Sequence, residues 1–195
     1  MEKPVLFINA CVRKESRTKW LADQLLDKIN EPFEEICLNA VDFPAVDEAF
    51  LALRDQLIAR QEFGHPLFAL ARQFAEAETI VIAAPYWDLS FPAALKQYFE
   101  QINVLGITFK YTKTGLPVSL CRAKNLFYVT TAGGVYVPEE FGYGYVEALA
   151  RNFYGISDVR LVKAVGLDID GADVDGIMEA AREELDNTLN RESNE

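Results

Sequence analysis

Three short stretches of the chain carry side chains suited to holding a ligand, and each follows an apolar run. The first is Ala10-Cys11-Val12-Arg13-Lys14-Glu15-Ser16-Arg17-Thr18, which ends where a helix is expected to begin. The first N–H groups of a helix lack intrahelical acceptors and lie at the positive end of its dipole, so an anion is welcome there. Ser16 and Thr18, with Arg13 or Arg17, would complete a phosphate cradle. Taken alone, Ser16 or Thr18 is better read as a plain helix cap, because hydroxyls are common at helix starts. The stretch lacks both G-x-G-x-x-G and the P-loop lysine pattern, which argues against a dinucleotide-binding unit and a P-loop NTPase. A mononucleotide phosphate still fits.

The second stretch is Pro85-Tyr86-Trp87-Asp88, two large aromatic rings and a carboxylate just past the buried run Ile80-Val81-Ile82-Ala83-Ala84. Aromatic rings at a strand's carboxyl end can stack on a flat ligand, although such residues also plug cores. The third is Thr131-Ala132-Gly133-Gly134-Val135-Tyr136, where two glycines permit close approach of backbone to a planar ring; a plain turn is the simpler alternative for the glycine pair alone. A molecule with a phosphate at one end and a planar ring system at the other would span all three, which describes FMN better than ATP or NAD. His65, the only histidine, falls in the break Gly64-His65-Pro66 and reads as a surface or packing residue. G-x-S-x-G is absent, so no nucleophile elbow is expected.

The elements that must position these stretches alternate along the chain. Strands are expected at 5–9, 33–38, 80–84, 125–130 and 159–167, with helices at about 19–29, 47–60, 66–77, 146–154 and 172–189. A further helix follows Pro92, with Ser90 as its expected cap. Residues 106–112 form a short β-like excursion, followed by a turn at 114–117. Five strands interleaved with helices predict an α/β fold, a doubly wound five-stranded parallel sheet with helices on both faces. Ligands in such folds sit outside the carboxyl ends of the strands.

Composition narrows the function classes. The 195 residues, half of them hydrophobic, predict one domain over 1–190 and a polar tail over 191–195. A formal charge of −11 excludes a phosphate-tracking nucleic-acid protein, which needs clustered Lys and Arg. Cys11, Cys37 and Cys121 lack metal-ligand spacing, so no metal site is expected and the thiols read as reduced, in a cytoplasmic protein. No apolar segment approaches the ~18 residues a membrane span needs, and no secretory leader is read.

The segments LFINACVRKESRTKWLA, APYWDLSFPAALKQYF, ITFKYTKTGLP and TTAGGVY together resemble the flavodoxin-like FMN-dependent NAD(P)H:quinone oxidoreductases, especially the NADH-azoreductase branch. The resemblance implies a flavodoxin-like fold. It also implies two-electron hydride transfer from NADH or NADPH, through FMN, to a quinone, azo or nitro acceptor, with the flavin rather than a catalytic side chain carrying the chemistry. By the same resemblance Cys11, Ser16, Arg17 and Thr18 hold the phosphate. Pro85, Tyr86, Trp87, Asp88 and Leu89 contact ribityl and ring, and Thr131, Ala132, Gly133, Gly134 and Tyr136 form a second ring-contacting loop. A homodimer is implied, its partner subunit contributing from the 136–145 region. Cys11 stands where a serine is common, Asp88 where an asparagine is usual and Ala132 where a polar residue is common. These departures imply weaker phosphate donation, a carboxylate opposing negative charge on the reduced ring, and one lost donor. The alternative function is a flavodoxin-like electron carrier or flavin-binding module without turnover.

Overall fold

The computed structural model of the chain describes residues 5–190; the polar tail expected at 191–195 lies outside them. Five parallel strands, β1 (Val5–Asn9), β2 (Phe33–Cys37), β3 (Thr79–Ala83), β6 (Asn125–Thr131) and β7 (Asp158–Ala164), pair in the order β2-β1-β3-β6-β7. Each sheet strand is thus reached by a crossover, and every strand's carboxyl end falls on one rim. A separate antiparallel hairpin joins β4 (Phe109–Tyr111) to β5 (Pro117–Ser119), so Pro117 opens a strand rather than closing a turn.

Side chains alternate across the sheet, which gives the molecule two cores. On one face Val5, Phe7, Val81, Phe127 and Val129 pack against α1 (Arg17–Ile29) and α6 (Val174–Leu189) through Leu21, Leu25, Met178 and Leu185. On the other, Leu6, Ile8, Ile80, Ile82, Leu126 and Tyr128 pack with residues of α2 (Glu48–Ala59), α3 (Ala69–Glu76), α4 (Ala93–Ile102) and α5 (Tyr143–Asn152). The central strands β1 and β3 are buried on both faces, as unbroken apolar runs require. Phe74 of α3 is fully buried at the centre of the second core, its ring centroid 4.6 Å from that of Tyr154 and 6.4 Å from that of Tyr98.

Three local expectations are corrected. The 66–77 helix divides into a 3-10 turn, Pro66–Phe68, and α3; His65 starts the turn by accepting the Leu67 N–H on Nδ1 at 3.2 Å. Ser90 does not cap α4. Pro92 occupies the cap position without a side-chain hydrogen bond, and the Ser90 hydroxyl donates instead to the Phe141 carbonyl at 2.7 Å. The last strand stops at Ala164 rather than 167, because Gly166 turns the chain with φ of 81° and the Leu167 N–H then bonds the Ala132 carbonyl. None of the described helices is long and apolar enough to cross a membrane.

Truncating Phe74 to Ala empties a fully enclosed site between two tyrosines. The expected loss is about 3–5 kcal/mol of unfolding free energy, read as a lower urea midpoint; a loss under 1 kcal/mol would mean the second core repacks freely.

Candidate functional site

The chain leaves β1 for the α1 face of the sheet and leaves β3 for the α4 face, so a crevice opens where adjacent connections diverge. The strand ends remain laced beyond the sheet proper. Ala10 N–H bonds the Ala83 carbonyl at 2.8 Å, Ala84 N–H the Val129 carbonyl at 2.9 Å, and Tyr86 N–H the Thr131 carbonyl at 3.0 Å. Three loops therefore start from one rigid edge.

Ser16 is the cap of α1, its Oγ accepting the Lys19 N–H at 3.2 Å. Among the described residues, the N–H groups of Arg13 through Thr18 donate to no protein acceptor, so the loop presents a row of free donors. Thr18 is buried and its hydroxyl shares a 2.6 Å hydrogen bond with that of Thr131, which joins the first turn of α1 to the end of β6. Cys11 is turned inward. Its Sγ lies 3.8 Å from the Ala83 carbonyl, and burial pushes the thiol up to about 11, so it stays neutral at physiological pH. Asn9 and Asn39 hold the backbone of Cys11, Asn9 Oδ1 accepting its N–H at 2.9 Å and Asn39 Nδ2 donating to its carbonyl at 2.7 Å.

The second loop contains a tight turn. Trp87 and Ser90 exchange backbone hydrogen bonds of 3.0 and 2.7 Å, and the two residues between them, Asp88 and Leu89, have φ of 49° and 66°. Two successive left-handed residues define the turn that Asn-Gly suits best, and a leucine there costs roughly 1–2 kcal/mol. Its lip is clamped by the Ser90–Phe141 bond. In the third loop, Ala132 N–H bonds the Ala164 carbonyl, while Gly133 and Gly134 accept from Asp168 and Gly166 N–H at 3.0 Å each. The N–H groups of Gly133 and Gly134 donate to no acceptor among the described residues.

These loops enclose a cleft of about 330 Å3 lined by residues of all three: Arg13, Ser16, Arg17 and Thr18; Pro85, Tyr86 and Trp87; Thr131, Ala132 and Gly133. Of the residues expected at the site, Cys11, Asp88, Leu89, Gly134 and Tyr136 are not in this lining. Asp88 and Leu89 form the adjacent turn, and Tyr136 is 79% exposed, with Val135 beside it also exposed. The lining also includes Leu167 and Asp168, from the loop after β7. Sequence reasoning passed over this fourth strand end, though the rule that ligands sit at carboxyl ends applied to it equally. Free backbone donors and aromatic rings lining one cleft suit a phosphorylated planar heterocycle, and the volume falls at the small end of the ~300–1,000 Å3 typical of ligand clefts.

Comparison with known proteins agrees with this geometry. The profile of a family described by its flavodoxin-like fold matches residues 3–189. The chain is 39% identical over 188 residues to an FMN-dependent NADH:quinone oxidoreductase of Clostridium beijerinckii, covering 91% of this chain and 93% of that protein. Among solved structures, an azoreductase from Bacillus anthracis superposes with a TM-score of 0.83 at 25% identity, over 97% of this chain and 99% of the other. An FMN-dependent NADH-azoreductase of Bacillus anthracis in complex with FMN superposes with a TM-score of 0.80 at 26% identity, over the whole of both chains.

Two outcomes are expected from this geometry. Thr131→Val strands the buried Thr18 hydroxyl and should lower stability by about 1–3 kcal/mol, whereas Thr18→Val/Thr131→Val should recover most of it; additive losses in a double-mutant cycle would mean that the two hydroxyls are not coupled. Leu89→Gly should raise stability by about 0.5–1 kcal/mol, the relieved strain exceeding the added chain entropy, and Leu89→Val should lower it; thermal melts of both variants decide the matter.

Proposed function

Because the chain belongs to the flavodoxin-like fold family, we propose that it is an FMN-dependent NAD(P)H oxidoreductase that transfers two electrons to quinones and to azo or nitro compounds. The observation that carries this reading is the convergence of the Ser16, Trp87 and Gly133 loops on one cleft. When bound, FMN supplies the capacity to accept hydride from NADH or NADPH and to deliver it to an oxidised acceptor.

The chain's own residues then have four tasks. The free N–H groups of Arg13 through Thr18, with the Ser16 hydroxyl and the Arg13 and Arg17 guanidinium groups, hold the phosphate. Pro85, Tyr86 and Trp87 confine the flat ring, and Asp88 and Leu89 set the turn that aims them. The unpaired N–H groups of Gly133 and Gly134 offer fixed donors to negative charge that develops on the ring system. The Tyr86 hydroxyl stays protonated, its pKa raised by burial and by the neighbouring Tyr136 and Glu140. Cys11 contributes by fixing the loop from behind, since its sulfur is buried against β3.

Trp87, Leu89, Val135, Tyr136 and Phe141, on the second and third loops and the segment after them, are exposed apolar residues, as are Tyr111, Leu116 and Val118 on the hairpin and its turn. Surface of this kind favours burial against another copy, and it supports a homodimer in which the second copy's 136–145 stretch closes the acceptor site against water. The three unpaired thiols support a cytoplasmic enzyme.

The purified protein should carry flavin absorbance or acquire it on addition of FMN, and its oxidation of NADH or NADPH should then be strongly accelerated by a quinone. Protein that binds no FMN and shows no quinone-dependent turnover overturns the assignment. Trp87→Ala should weaken FMN retention or acceptor binding about fivefold, the worth of roughly 1 kcal/mol of ring contact, with the melting temperature little changed; global unfolding would make Trp87 a core plug instead.

A further inference from the structure

Asp168 stands in an unexpected place for a carboxylate. It lines the same cleft as the phosphate cradle, its N–H is bonded to the Gly133 carbonyl at 3.0 Å, and its side chain rests so closely on Gly133 that a Cβ there would collide with it. Its Oδ1 accepts from Arg17 Nη1 at 2.8 Å, and the same nitrogen lies 3.4 Å from the Leu167 carbonyl. Arg17 is the first residue of α1, at the end where an anion binds. A cation of the cradle is therefore committed to a negative charge supplied by the protein itself.

From this arrangement we propose that Asp168 is a resident counter-anion that competes with the ligand phosphate for Arg17 and so sets the affinity of the cleft for phosphorylated against unphosphorylated flavin. The inference rests on the FMN reading of the site. Magnitudes favour an exchange. The Arg17–Asp168 pair is exposed, with side-chain accessibilities of 45% and 70%, and exposed ion pairs are screened and weak. A phosphate monoester brings up to two charges and several acceptor oxygens to donors already in place, so it wins Arg17 wherever both reach it. The carboxylate then remains beside the bound phosphate as an uncompensated like charge. Affinity for FMN is held below what the cradle alone would give, and riboflavin, which lacks the phosphate, is indifferent to Asp168.

Flavin fluorescence quenching with FMN and with riboflavin separates the possibilities. Asp168→Asn keeps an acceptor oxygen for Arg17 and the backbone bond to Gly133 while removing the charge. It should tighten FMN roughly three- to tenfold at low salt, with the gain shrinking as salt rises, and leave riboflavin unchanged. Arg17→Gln should weaken FMN, and Arg17→Gln/Asp168→Asn should recover most of that loss because the stranded carboxylate is gone. An unchanged or weakened FMN affinity in Asp168→Asn, or an equal gain for riboflavin, overturns the proposal and leaves Asp168 as a structural strap. A wild-type chain that binds neither flavin overturns the functional reading together with this one, whereas normal FMN binding that ignores Asp168 overturns this one alone.

Discussion

The arrangement of the site depends on parallel pairing. Strands that run the same way end on the same rim, so the loops that follow β1, β3, β6 and β7 leave from one edge, and the hydrogen bonds of Ala10, Ala84, Tyr86 and Ala132 continue the lacing past the last paired residue. Each of those bonds holds a residue at the start of a loop to the neighbouring strand. The loops inherit the rigidity of β1 and β3, which are buried on both faces, and so need no regular structure of their own to keep their spacing. The Thr18–Thr131 hydroxyl pair extends the same principle to α1, locking a helix start to a strand end through a bond between two buried side chains.

The two cores explain why the cleft opens where it does. Alternate residues of β1, β3 and β6 point to opposite faces, so α1 and α6 must cover one side while α2, α3, α4 and α5 cover the other. Helices reached from adjacent strands β1 and β3 thus part to opposite faces and leave their loops facing each other across a gap. Packing creates the vacancy, and side chains at the loop starts give it a chemical character: free N–H groups on one wall, aromatic rings on another, and a glycine where a Cβ would strike Asp168.

Much of this was legible in the residues. Val5 to Ile8 and Ile80 to Ala84 are unbroken apolar runs, the pattern of strands buried on both faces, and they placed β1 as found and β3 within one residue, while the end of β7 was missed by three. Ser16 and Trp87 announced themselves by residue type at the ends of such runs. What stayed hidden depended on partners distant in sequence. Ser90 reads as a cap only if the helix starts early; Pro92 takes the cap position, two residues on, and the Ser90 hydroxyl instead donates to the carbonyl of Phe141, 51 residues away. Asp168 resembles any loop aspartate until Arg17, 151 positions away, is placed against it. Cys11 falls within the cradle by position, but the pleat of the chain turns its sulfur inward, toward the Ala83 carbonyl.

A chain of net charge −11 that holds an anion must do so against its own field, and the distribution of cations shows how this is resolved. Lys19, Lys28, Lys96, Arg151, Arg160, Lys163 and Arg182 are all paired with carboxylates, so they contribute little to the field at the rim. Arg13 and Lys14 make no ion pair among the described residues, and both lie on the loop that opens α1. Repulsion from distant carboxylates is screened beyond about 10 Å at 0.1 M salt, whereas donors within the cradle act at contact distance. Under the proposed function, short-range donors decide affinity and the global charge acts mainly on the rate of approach, with Arg17 between the two regimes: it lines the cleft, yet is restrained by the carboxylate it already holds.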